Sequence, residues 1–194
     1  MKDASTDLPL LHFKDQKAWS AWLEKHYAGS PGVWLKLAKK GSETPSVSYA
    51  EALEEALRYG WIDGQKKAHD ESFWLQKFTP RGPRSVWSKV NREKAEKLIE
   101  SGRMKPTGLA AVERARQNGQ WDAAYDAQSR AAVPSDLQAE LDRNPQAQAF
   151  FSTLNSANRY AILWRLQTAK RAETRAKRIQ QFVGMLERGE KFHP

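Results

Sequence analysis

The chain has 194 residues, 40% of them apolar, and no cysteine. That is enough for a buried core, and it excludes disulfides, cysteine-ligated metals and thiol nucleophiles. The formal charge is +9 and it is unevenly placed: residues 77–105 and 159–191 each carry nine basic and three acidic side chains, while the remainder is net negative.

The pattern predicts a helix over residues 14–27, with Trp19, Trp22, Leu23 and His26 on one face. Residues 33–39 alternate as a strand, Val33, Leu35 and Leu37 against Trp34, Lys36 and Ala38. Ser48-Tyr49-Ala50-Glu51 has the form of a capping box, which opens a helix that Gly60 ends. Two further strands follow, residues 61–66 and 72–78, as an antiparallel pair. The order β-α-β-β points to a small, mainly antiparallel sheet with helices on one face.

The texture changes at Thr79-Pro80-Arg81-Gly82-Pro83, after which every element reads as helical. The expected helices are 85–100, 107–118 with Leu109 and Val112 inward, one from Pro134 to Asn144, one from Pro145 carrying Ala149, Phe150 and Leu154, one capped by Asn155 or Ser156, and 174–187. Residues 126–133 read as a connector. Ile179, Phe182, Val183 and Leu186 make an i, i+3, i+4, i+7 stripe on the last helix. The fold class expected is α+β: an amino-terminal α+β subdomain over residues 1–82 and an all-α carboxyl-terminal one over 83–194.

The apolar runs fall short of the ~20 residues of a membrane span, and residues 1–10 have no apolar signal core. A cytoplasmic protein without membrane insertion is expected. No phosphate loop, dinucleotide fingerprint or nucleophile elbow occurs. His12, His26, His69 and His193 share no metal-ligand spacing, so neither a metal nor a cofactor is expected.

Several segments resemble the YdeI/OmpD-associated, or bacteriocin-protection, family. They are Ser48-Tyr49-Ala50-Glu51 with Gly60-Trp61-Ile62-Asp63-Gly64, Phe78-Thr79-Pro80-Arg81 with Ser85-Val86-Trp87, Gly119-Gln120-Trp121-Asp122, and Pro134-Ser135-Asp136-Leu137 through Thr174-Arg175-Ala176-Lys177-Arg178. The family's usual Gly-Arg-Trp-Asp has Gln120 in place of arginine here, which weakens any role for a cation at that position. The resemblance implies a cytoplasmic bacterial protein with an α/β amino half and a helical carboxyl half, its OmdA-type region about residues 134–188. It implies associations with bacteriocin protection and a porin, and no defined reaction.

Two groups of residues are candidates for binding an anion. The first is Trp61, Asp63, Phe78, Arg81, Ser85, Trp87 and Asn91. Arg81 offers a fork for a carboxylate or phosphate, Ser85 a helix N-cap, and the tryptophans a stacking surface. The competing reading pairs Asp63 with Arg81 and buries the tryptophans. The second group is Arg159, Tyr160, Arg165, Lys170, Arg171, Thr174, Arg175 and Arg178, with Glu173 or Thr174 as the cap of the last helix. Cations in the first turn of a helix oppose its dipole, so an anion or a carboxylate neighbour is needed to stabilise them. Either a phosphate-bearing ligand does so, or an internal network with Asp136 or Glu140.

The carboxylates Glu51 and Glu55 share a helix face, but the capping box explains Glu51 better than catalysis does. The expected function is a non-catalytic binding or interaction protein with a basic anion-binding surface, linked to bacteriocin tolerance or envelope stress through a protein partner. Two alternatives stand beside it: an enzyme on a small anionic substrate in a cleft between the halves, with Arg81 holding the substrate and Asp63 as acid or base, and a nucleic-acid-binding protein.

Overall fold

The computed structural model describes residues 8–126 and 131–194. Part of the expected connector, 127–130, therefore lies outside the described residues. The fold is α+β, and the chain divides into two compact units. Residues 1–86 with 91–122 form the first, and residues 87–90 with 123–194 the second.

The first unit is built on a four-stranded sheet in the order β1-β2-β4-β3. Strands β2 (Val33–Ala38), β3 (Trp61–Ala68) and β4 (Phe73–Pro80) form the expected antiparallel part. A short strand, β1 (Leu10–His12), adds itself parallel to β2, which makes the sheet mixed. Three residues are too few for an alternation to register, so the sequence pattern gave no sign of it.

Alternation decides what each sheet face does. Val33, Leu35, Leu37, Phe78 and Trp61 share the core face and are essentially inaccessible. Helices α1 (Gln16–His26) and α2 (Tyr49–Arg58) cover it. Trp19 lies 5.9 Å from Phe78 and Trp22 lies 6.1 Å from Trp61, ring centre to ring centre. The Asp15 side chain caps α1 by accepting from the Ala18 amide. At α2 both halves of the capping box form: Ser48 accepts from the Glu51 amide and the Glu51 carboxylate accepts from the Ser48 amide. That bonding holds the Glu51 carboxyl below its ordinary range.

Helices α3 (Lys89–Glu100) and α4 (Pro106–Gln117) follow. α3 starts at Lys89 rather than at 85, because Ser85 closes a turn onto the Gly82 carbonyl. Trp87 and Ser88 stay outside the helix: the Trp87 carbonyl and the Lys89 amide bond to the Tyr125 backbone in a parallel bridge at Ser88. On α4 the inward positions are Gly108, Ala111, Val112 and Ala115, while Leu109 is 44% exposed, contrary to expectation. Gly108 lies so close to the end of α2 that a Cβ there would stand 2.4 Å from the Arg58 carbonyl oxygen, so no side chain fits.

The second unit packs α5 (Ser135–Arg143), α6 (Pro145–Thr153), α7 (Ser156–Gln167) and α8 (Ala172–Glu187) around one core. The stripe Ile179, Phe182, Val183 and Leu186 is buried, against Leu137, Leu141, Ile162 and Leu166. On α6 Ala147 and Phe151 are buried, the expected Phe150 packs half-buried against the same core and Leu154 belongs to it, while Ala149 is exposed. Asn155 caps α7 by accepting from the Asn158 amide at 2.9 Å.

Candidate anion-binding sites

In the first unit a pocket of about 240 Å³ opens where β3 begins and β4 ends. Four chain segments meet there: Tyr27 and Ala28 beyond α1, Tyr59 to Trp61 in the α2–β3 turn, Pro80 and Arg81 at the end of β4, and Thr107, Ala110 and Arg114 on α4. The close approach depends on Gly60, whose φ is 74° and whose Cβ, if present, would stand 2.8 Å from the Thr107 carbonyl oxygen.

Each wall is fixed by its own bonds. The Arg81 amide donates to the Gly60 carbonyl at 3.0 Å, and its Nη1 donates to the Val86 carbonyl at 3.2 Å. Arg81 is 6% exposed, so its guanidinium is a nearly buried charge at the pocket wall. Trp61, 1% exposed, donates through Nε1 to the Tyr27 carbonyl at 3.2 Å. The Tyr59 hydroxyl donates to Glu24, which also receives Lys105 Nζ at 2.9 Å. The two donors, Tyr59 first and Lys105 second, hold the Glu24 carboxyl below its ordinary range. Burial first, and Glu24 second, push the Tyr59 hydroxyl up to about 12, so it stays protonated at neutral pH. The exposed Arg114, with the buried Arg81 charge behind the aromatic wall, suits a carboxylate or phosphate carried on a flat group.

Of the first group of sequence candidates, the pocket holds Trp61 and Arg81. Asp63 sits opposite Phe78 on the sheet, not beside Arg81, and accepts from the Tyr49 hydroxyl at 2.7 Å. Ser85 is in the turn after β4 and caps no helix. Trp87 is 2% exposed within the second unit, and Asn91 is buried on α3. Tyr27, Tyr59 and Arg114 escaped the sequence reading because nothing local marks them; they reach the pocket through the tertiary fold.

In the second unit the cationic cluster is engaged internally. Arg175 makes a fork to Asp136, Nε at 2.6 Å and Nη2 at 2.9 Å, and its Nη1 donates to the Leu166 carbonyl at 2.7 Å. Arg178 donates to the Arg165 carbonyl. Both carbonyls belong to the last turn of α7, where acceptors have no intrahelical donor. Cations placed badly for their own helix dipole are thus placed well for that of a neighbour. The Arg175 guanidinium, chiefly by its bonds to the carboxylate, holds Asp136 below its ordinary range.

Arg165 donates to the Ala161 carbonyl at 2.7 Å and lies 4.1 Å above the Phe192 ring. Arg159 lies 4.9 Å above Phe151 and, with Tyr160, lines a pocket of about 200 Å³. Tyr160 donates to the Asp126 carbonyl at 3.0 Å, and its hydroxyl is pushed up to about 12, by burial first. α8 begins at Ala172 with Arg171 at the N-cap and no side-chain cap, so neither Glu173 nor Thr174 caps it. Lys170, Arg171 and Thr174 are exposed.

The first basic stretch is also paired in part. Lys89 meets Asp126 at 2.7 Å, Arg103 meets Glu54 at 2.6 Å, and Arg92 donates to the Trp121 carbonyl at 3.2 Å. The carboxylates at 51 and 55 are likewise occupied: Glu55, 3% exposed, is held by Arg58 and by Gln16 at 2.8 Å.

The protein therefore joins an α+β unit with a small cationic pocket to a helical unit pinned by arginines. Two family models match these parts. Residues 11–111 match a domain of unknown function (DUF8412), more than half of the chain, and the chain belongs to that family. Residues 130–189 match the family described as Bacteriocin-protection, YdeI or OmpD-Associated, the OmdA family that the sequence segments resemble. The first match runs across the Pro/Gly cluster at 79–83, as does the first compact unit. No curated protein and no solved structure matches the chain. No described helix is long and apolar enough to cross a membrane.

Proposed function

We propose that this is a cytoplasmic, non-catalytic binding protein that takes a small planar anion in the pocket between Arg81 and Arg114, within the bacteriocin-protection setting its family name records. The single observation that carries this reading is the convergence of the exposed Arg114 and three aromatic residues, Tyr27, Tyr59 and Trp61, on one 240 Å³ space, with the buried Arg81 in its wall. A pocket of that size suits a ligand of one ring and one anionic group, below the usual span for larger ligands. The carboxylates nearest to a catalytic role have structural partners: Glu51 in its cap, Glu55 on Arg58, Asp63 on Tyr49.

Isothermal titration with benzoate, phenyl phosphate and the neutral control benzyl alcohol tests the reading. Binding of either anion, lost in Arg114→Glu and absent for the alcohol, supports it. Equal uptake of all three, or anion binding unchanged by Arg114→Glu, overturns it.

A further inference from the structure

One face of the sheet is built for a purpose that the pocket does not use. Register fixes which residues it carries. Trp34 stands opposite Lys77, Lys36 opposite Leu75, Ala38 opposite Phe73, and Lys67 opposite Leu75; His12 stands beside Lys36. Helices α1 and α2 cover the other face, through Trp19 on Phe78 and Trp22 on Trp61. On this one His12 and Lys67 are exposed, Lys36, Phe73, Leu75 and Lys77 are half-buried, and Trp34 is buried beneath the lysines.

Its chemistry is one-sided. The four strands contain four lysines and one acidic residue, Asp63, and Asp63 belongs to the core face. The cations lie over flat rings: Lys67 Nζ is 4.4 Å and Lys77 Nζ 6.0 Å from the Trp34 ring centre, and Lys36 Nζ is 5.4 Å from that of Phe73. His12 meets the edge of Phe73 at 5.3 Å. Lysines in such positions shield rings from water with their stems and keep their charges at the solvent side. A partly exposed ring flanked by cations at the solvent side of a sheet is what an unpaired nucleotide strand needs: a base stacks on the ring while ammonium groups follow the phosphates.

We infer that the β1-β2-β4-β3 sheet presents a docking surface for single-stranded nucleic acid, with Phe73 and the exposed His12 ring at its edge as the stacking platform and Lys36, Lys67 and Lys77 as phosphate contacts. A duplex is not the expected occupant, because paired bases cannot lie flat on these rings. The surface is separate from the anion pocket, and the two readings stand or fall independently.

The test is fluorescence anisotropy of labelled 12-nucleotide single-stranded DNA and RNA against the full chain, between 50 and 200 mM salt. Three phosphate contacts predict a slope of log K on log salt of about −2, from about 0.7 per contact for a single strand. Lys36→Gln with Lys67→Gln and Lys77→Gln removes that slope. Lys170→Gln with Lys177→Gln and Lys191→Gln, an equal loss of charge in the second unit, leaves it in place. Phe73→Leu, which keeps an apolar side chain at a half-buried site, weakens binding about ten-fold or more, as loss of a stacked base does. The inference is overturned by absence of binding at 50 mM salt, by equal effects of the two lysine triplets, or by tighter binding of a poly-glutamate peptide than of either oligonucleotide.

Discussion

The two units each hold bonded and solvent-facing cations, and their most prominent examples differ. In the second, Arg175 and Arg178 close the end of α7 and hold Asp136, so their charges face inward and tie three helices together. In the first, the sheet's lysines lie over aromatic rings at the solvent side, and Arg114 stands exposed at the pocket. Local charge excess alone does not tell these uses apart: within residues 77–105 Arg92, Arg103 and Lys105 are bonded to a carbonyl or a carboxylate, whereas Lys36, Lys67 and Arg114 lie outside that stretch. What a cation does depends on whether a carbonyl, a carboxylate or a ring lies within its reach.

The largest effect expected from breaking this contrast lies in the aromatic core. Trp19 is inaccessible and donates through Nε1 to the Ala52 carbonyl at 3.1 Å. Trp19→Ala is expected to cost about 3–5 kcal/mol, read as loss of amide-exchange protection in α1 and α2. If that protection survived, packing would not be what holds the first unit. Next is Arg175→Ala, which removes the fork to Asp136 and one of the donors to the Leu166 carbonyl. A cost of about 1–3 kcal/mol is expected, seen in a lowered denaturant midpoint and faster exchange in α5, α7 and α8. Arg175→Lys restores the charge but not the fork, and should recover less than half of it.

Ser48→Ala removes one half of the capping box and should cost about 1 kcal/mol, with exchange quickened in the first turn of α2. The acid limb is smaller still. Asp136 titrates lower in the folded chain than in the unfolded one, so its contribution is complete above the unfolded carboxyl range. It is lost as pH falls through the lowered folded value. Wild-type and Asp136→Asn proteins should therefore differ in denaturant midpoint at pH 7 and converge in strong acid. A constant gap at all pH values would mean that the pair's charge contributes nothing. The smallest effect is on Arg114→Glu, which should leave stability within about 0.5 kcal/mol while removing anion binding.

The core was legible because it repeats. The stripe from Ile179 to Leu186, the capping box at Ser48 and the alternation along β2 all express a period that burial imposes. Where a single contact outweighed the period, the expectation failed. Leu109 turned outward because Gly108 lies against the Arg58 carbonyl, and α3 was shortened because Trp87 and Ser88 bridge to Tyr125 instead of winding. The Pro/Gly cluster at 79–83 marks where strands give way to helices, yet α4 and most of α3 group with the sheet, since packing and not element type defines a unit.

Of the candidate site, only Trp61 and Arg81 could be read in advance, because they flank a strand pair that the sequence itself announces. Tyr27, Tyr59 and Arg114 join them from three other elements, and no local pattern records that meeting. By itself the sequence determined the class of fold, the family, the helix caps and the two concentrations of positive charge, all of which depend on neighbours within a few residues. Tertiary structure alone decided which charges are closed in bonds and which face solvent. That choice rests on partners far along the chain: 39 residues separate Arg175 from Asp136.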